Sequence, residues 1–64
     1  MTKRAADLTK SAKVYLLLER SAGKMVSREM VRDMLADRAR ELGFASNEVR
    51  SAVDNAIKHA GVFA

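Results

Sequence analysis

The sequence contains no cysteine and no proline, and it has only three glycines among its 64 residues. Without cysteine there can be no disulfide and no cysteine-rich metal site to stabilise so small a fold. Proline, the other strong helix breaker, is absent. Each glycine follows a stretch of helical periodicity, at positions 23, 43 and 61. The glycines therefore predict three helices that end at these positions.

No apolar run in the sequence is long enough to span a membrane, and the first ten residues, MTKRAADLTK, lack the apolar core of a secretory signal. We therefore expect a cytoplasmic protein with no membrane partner. A chain of this length predicts one domain, residues 1–64, with a stability of about 3–5 kcal/mol. Because that margin is small, we expect a second copy or a ligand surface to add stability.

Groupings of side chains that would support catalysis are missing from the sequence. Its one histidine, His59, lies beside the last predicted helical turn, where interaction with the helix end is the simplest role. There is no glycine-rich phosphate loop, and the carboxylates at positions 29, 33, 37 and 41 lack the histidine partners of a two-metal site. The sequence predicts that the protein is not an enzyme and has no metal or cofactor.

Apolar residues recur at helical spacing in three stretches, which predict helices at about residues 9–22, 28–42 and 47–60. Ser27 and Ser46 precede the second and third helices, where a serine hydroxyl can accept from the free amides of the first turn. Only about four residues separate these two helices, so they must pack at a steep angle.

The first helix is preceded by a predicted flexible basic arm, residues 1–8. The helix itself contains the most apolar run of the sequence, Val14–Leu18. One helix face cannot hold five consecutive residues, so this helix is apolar on more than one side. Part of the run should be buried by the other helices. The remainder, with Tyr15 or Leu16 as candidates, is expected to meet a second molecule.

The stretch LADRARELGFASNEVRSAVD arranges small and apolar residues around a central glycine. Ala39 lies four residues before Gly43, and Phe44 follows the glycine directly. Val49 and Ala52 lie six and nine residues after it. This spacing resembles the helix-turn-helix superfamily, in which a small residue lies where two helices cross closely. The resemblance implies a mainly α fold, a three-helix helix-turn-helix domain whose third helix can enter the major groove of DNA.

Two short segments suggest a small addition to this fold. Residues 24–26 precede the second helix and residues 62–64 follow the third, and both read as extended. Their order among the helices is similar to that of the winged helix-turn-helix, in which the two strands pair. They predict a minimal two-stranded β pairing, although no residues for a hairpin wing follow Ala64.

The second predicted helix carries charges on several sides. Arg38 lies near the middle of its apolar stripe, where the superfamily usually has an apolar residue. We expect Arg38 to bury its stem and keep its guanidinium at the edge, or to pair with a carboxylate across an interface. An acidic row recurs every four residues, at Glu29, Asp33, Asp37 and Glu41, beside the basic row Arg28, Arg32 and Arg40. The acidic row is either a solvated face or a site for a basic protein.

Positive charge is concentrated at the start of the chain. The formal net charge is +4 with a sequence pI of about 10.0, and residues 1–13 carry most of the excess. A basic arm can contact phosphates or a minor groove, but it can equally be a solvated, frayed terminus.

Together these features predict a small DNA-binding protein, a transcriptional regulator that binds double-stranded DNA as a homodimer. The base-reading and phosphate-contacting residues implied by the fold are Lys3, Arg4, Arg28, Ser46, Asn47, Arg50, Ser51, Asp54 and Lys58. The alternative is a protein–protein interaction module or inhibitor that binds a partner protein through the first helix and the acidic row of the second. The nearly neutral third helix favours that alternative.

Overall fold

The computed structural model describes residues 2–62, without the side chain of Val62. Within this range the chain forms three α-helices, namely α1 (Lys3–Ala22), α2 (Arg28–Glu41) and α3 (Ser46–Val62), with a short 3₁₀ turn at Gly23–Met25. The mainly α fold predicted from the sequence is confirmed. Each of these helices is too short or too polar to serve as a membrane span.

The three helices share one core, and much of it consists of small residues. The largest fully buried side chains are Leu8 of α1 and Val31 and Leu35 of α2. Four alanines that are at most 3% exposed complete the contact between helices, at Ala12, Ala39, Ala56 and Ala60. Because alanine has only a methyl group, the helices can approach closely at these positions.

The first helix begins earlier than the sequence suggests. The hydroxyl of Thr2 accepts a hydrogen bond from the amide of Ala5 at 3.2 Å, which makes Thr2 the N-cap of α1. Leu8 is 1% exposed, so burial of its side chain orders the first two turns. The prediction of a flexible arm at residues 1–8 is therefore wrong from Lys3 onward.

The predicted β pairing of residues 24–26 with 62–64 is not formed by the residues that the structure describes. Residues 24 and 25 lie in the 3₁₀ turn, only Val26 is extended, and Val62 belongs to α3. Positions 63 and 64 lie outside the described residues. Gly61 does not end the last helix as expected, because glycine permits a positive φ without imposing one.

The turn between α2 and α3 is fixed by glycine at position 43. Gly43 has a φ of 93°, a conformation that residues with a Cβ rarely adopt. The amide of Gly43 donates to the carbonyl of Arg40 at 3.0 Å, and the amide of Phe44 donates to that of Ala39 at 3.1 Å. These two bonds form a Schellman motif that closes the end of α2. The predicted role of Gly43 as a helix stop is confirmed.

The start of α3 lies one residue earlier than predicted. Ala45 occupies the N-cap position, since its carbonyl accepts from the amides of Glu48 at 2.8 Å and Val49 at 3.1 Å. Ser46 is the first helical residue rather than the cap. An alanine methyl cannot accept a hydrogen bond, so α3 begins without the side-chain cap that α1 and α2 possess.

Replacing Ala45 with serine should therefore stabilise the protein by about 1 kcal/mol, because a serine hydroxyl at this position can accept from the first-turn amides. Thermal unfolding followed by circular dichroism should show a midpoint about 4–8 °C higher. Ser46→Ala is the matched control and should change the stability by less than about 0.5 kcal/mol. A large loss in Ser46→Ala with no gain in Ala45→Ser would place the cap at Ser46 instead.

Surface ion pairs connect the charged rows of α2. Asp37 pairs with Arg40, three residues later on the same helix, at 3.0 Å, and Arg32 bonds Asp54 of α3. Arg38 is the residue that departs from the superfamily pattern. Its side chain is 39% exposed, and its guanidinium donates to Glu41 at 3.1 Å. Pairs as exposed as these stabilise the fold by only about 0–1 kcal/mol each.

Candidate nucleic-acid interface

The outer face of α3 is the surface that the sequence predicts to contact DNA. Its residues point away from the core because Val49 and Val53 are buried on the opposite side of the helix, at 6% and 3% exposure. Every predicted residue on α3 is exposed, namely Ser46, Asn47, Arg50, Ser51, Asp54 and Lys58. The face offers amide, hydroxyl and guanidinium groups and very little net charge.

Arg50 lies at the edge of this face, over a shallow cleft between α2 and α3. The cleft has a volume of about 310 Å³ and is also lined by Arg32, Arg40 and Ser46. Arg32 and Arg40 were not among the residues that the sequence predicts for the site. The available signal was their eight-residue separation, which places both on one edge of α2, next to the helix that they now face.

The charges around the cleft are partly neutralised. Arg32 donates to the carboxylate of Asp54, and Arg40 donates to that of Asp37 at 3.0 Å. Asp54, predicted to face DNA, is therefore bound to α2 while remaining exposed. Among residues 2–62, no carboxylate forms an ion pair with Arg50. Its guanidinium is therefore available to an external acceptor, and the carboxylate of Asp33 also lines the cleft.

Two of the predicted phosphate contacts are held by the fold itself. Arg4 donates from Nη1 to the carbonyl of Gly43 at 3.0 Å, and its guanidinium carbon lies 5.4 Å from the centroid of the Phe44 ring. These contacts tie the first turn of α1 to the turn between α2 and α3. Arg28 donates from Nε to Glu19 at 2.8 Å. A phosphate contact by either arginine would compete with these bonds.

The remaining predicted contacts, Lys3 and Lys58, are exposed lysines. Lys3 lies in the first turn of α1, and Lys58 lies on the outer face of α3. The structure thus brings Asn47, Arg50 and Ser51 together at the start of α3, whereas the two lysines lie apart from them. In residues 2–62 no group of three or more His, Cys, Asp or Glu side chains is arranged to hold a metal ion.

Comparison of this chain with protein-family models, curated proteins and solved structures finds no match. The interpretation of the site therefore depends on the geometry described above.

Proposed function

We propose that this protein binds double-stranded DNA with α3 in the major groove and acts as a transcriptional regulator. The observation that supports it best is the exposed cluster of Asn47, Arg50 and Ser51 at the start of a helix whose opposite face is fully packed. A helix held in this way presents its first turns as a rigid surface, which is how helix-turn-helix proteins read base edges.

The chemistry of the cluster suits the edges of base pairs. The guanidinium of Arg50 can donate two hydrogen bonds to guanine, and the amide of Asn47 can both donate to and accept from adenine. Lys3 and Lys58 contact phosphates, which set the position of the protein on the duplex but not its sequence preference. The small area of one chain gives modest affinity, so two copies occupy adjacent half-sites as a homodimer.

The role of Arg50 in DNA binding can be tested by measuring affinity in fluorescence anisotropy titrations with a duplex selected from a random pool. Arg50→Ala should lose about 1–3 kcal/mol of binding to that duplex and much of its preference over unrelated duplexes. Arg20→Ala is the matched control, since it removes the same charge from an exposed position on α1. It should leave the affinity and the slope of affinity against salt unchanged.

Two results would contradict the proposal. One is the absence of measurable binding to any duplex at low salt, where phosphate contacts are strongest. The other is an equal loss of affinity in Arg50→Ala and Arg20→Ala, which would show attraction by net charge without a defined interface.

The second candidate function is a protein-interaction module, and one observation favours it specifically. Val14, Leu17 and Leu18 of α1 are 55%, 57% and 47% exposed. Tyr15 and Leu16, which the sequence predicts as candidates to meet a second molecule, pack against the core instead. The acidic row of α2 adds less support, because Asp37 and Glu41 are already paired with arginines of the same helix. Glu29 and Asp33 are exposed and form no ion pair within residues 2–62.

A further inference from the structure

Arg4 joins the first turn of α1 to the turn between α2 and α3. Its Nη1 atom donates to the carbonyl oxygen of Gly43 at 3.0 Å, and its guanidinium carbon lies 5.4 Å from the centroid of the Phe44 ring. A Cβ added to Gly43 would lie 3.5 Å from the same nitrogen, so the guanidinium lies directly against the turn. The turn is thereby held by a side chain that is 39 residues away in the sequence.

The start of α3 follows this turn at once and lacks a side-chain cap. The amide of Phe44 donates to the carbonyl of Ala39 at 3.1 Å, which closes α2. Ala45, the next residue, occupies the N-cap position of α3 and has no side-chain acceptor for the first-turn amides. The direction in which α3 leaves the turn is therefore set by core packing and by the side chains that hold the turn. Arg4 is one of these, and its contacts lie within two residues of Ala45.

We propose that Arg4 is a positioning residue for DNA binding. By holding the turn, it keeps the first turns of α3, with Asn47 and Arg50, in the orientation that base contacts require. Groups that make such contacts must be held to within about 0.5 Å, and supporting hydrogen bonds supply that constraint. The inference rests on the proposed DNA binding. It replaces the phosphate contact that the sequence predicts for Arg4, because movement to a phosphate would give up the bond to Gly43.

The neighbouring residue, Lys3, provides the contrast. It is exposed in the same first turn of α1, and it is one of the proposed phosphate contacts. A phosphate contact adds affinity for every duplex alike and makes binding depend more steeply on salt. A positioning residue acts only through the base contacts of α3, so it changes the preference for one sequence and not the dependence on salt. Arg4→Ala and Lys3→Ala remove the same charge from adjacent positions and should therefore give different results.

Anisotropy titrations with the selected duplex and with unrelated duplexes, each repeated across a salt series, separate the two roles. Arg4→Ala should weaken binding to the selected duplex about two- to fivefold, the equivalent of one exposed cation–π contact. Its affinity for unrelated duplexes and its salt slope should match those of the original chain. Lys3→Ala should weaken binding to all duplexes alike and reduce the salt slope by about 0.9.

Amide hydrogen exchange of the full chain without DNA tests the turn contact itself. Arg4→Ala should speed exchange of the amides of Gly43 and Phe44 by about the same two- to fivefold, since opening of the turn no longer breaks the arginine contacts. The amide of Met30 is bonded at the other end of α2, opens without disturbing the turn, and should keep its rate. Lys3→Ala should leave all three rates unchanged.

Phe44→Leu adds a readout that a general loss of stability would not produce. It removes the aromatic ring beneath the guanidinium and keeps an apolar side chain against the core. Arg4→Ala should weaken binding to the selected duplex less in the Phe44→Leu chain than in the original, because the two side chains act as a unit. Circular dichroism should show each variant folded, since Arg4 is exposed.

Three outcomes would overturn the inference. The first is an equal loss of affinity for every duplex in Arg4→Ala with a shallower salt slope, which would make Arg4 a phosphate contact. The second is unchanged exchange at Gly43 and Phe44, which would remove the turn contact whether or not the chain binds DNA. The third is full additivity of Arg4→Ala and Phe44→Leu. Failure of the original chain to bind any duplex would instead remove the DNA proposal itself, and with it the positioning role, even if exchange at the turn responds as expected.

Discussion

Replacing Leu35 with alanine should leave a large fraction of the protein unfolded at room temperature. Leu35 is fully buried in the middle of α2, and truncation of such a leucine costs about 2–5 kcal/mol through lost burial and the cavity that remains. A core of this size provides only about 3–5 kcal/mol in total. Urea titration followed by circular dichroism at 222 nm should show a midpoint close to zero denaturant, or no folded baseline.

Leu17→Ala removes the same atoms from a position that is 57% exposed. It should change the free energy of unfolding by less than about 0.5 kcal/mol, since exposed substitutions rarely do more and alanine is the better helix former. Equal losses in the two variants would mean that α1 and α2 do not have the inner and outer faces described above.

Enlarging Ala39 to leucine should destabilise the protein by about 1–3 kcal/mol or more. Ala39 is 0% exposed, and its carbonyl also accepts the amide of Phe44 at the turn. Added methylenes have no space in the packed core, so the helices must shift apart or the turn must distort. The thermal midpoint should fall by about 4–8 °C for each kcal/mol lost.

Ala45→Leu supplies the comparison for that substitution, because it adds the same atoms at an exposed N-cap position where leucine is no worse than alanine. Its stability should stay within about 0.5 kcal/mol of the original chain. If Ala39→Leu were equally harmless, the fold would not need a small residue at this buried position.

The parts of the fold that sequence alone predicted correctly depend on short-range rules. The end of α2 at Gly43 follows from the need for a positive φ. The cap at Ser27 follows from the preference for a hydroxyl before a helix, and Thr2 obeys the same rule although the sequence predicts no cap there. The buried side of α3 follows from periodicity, which places Val49 and Val53 on one face.

The errors have a common cause. The basic, polar start of the chain is typical of a flexible arm. In the structure, however, Leu8 is buried in the core and Arg4 donates to Gly43, which is 39 residues away. Within Val14–Leu18, spacing shows that some residues must remain outside, but only the position of α1 against both other helices decides which. Pairing of Arg32 with Asp54 across 22 residues is likewise invisible to local pattern.

Sequence by itself determined that this chain forms helices and where α2 stops. It also indicated that position 39 needs a small side chain. These features depend on backbone conformation and on neighbours within a few residues. Tertiary structure alone decided which cations are already bonded within the fold and that Arg50 lies over a cleft with Arg32 and Arg40. It also decided that Val14, Leu17 and Leu18 face outward. Such features depend on how the helices are rotated against one another, and that rotation is set by packing of the whole core.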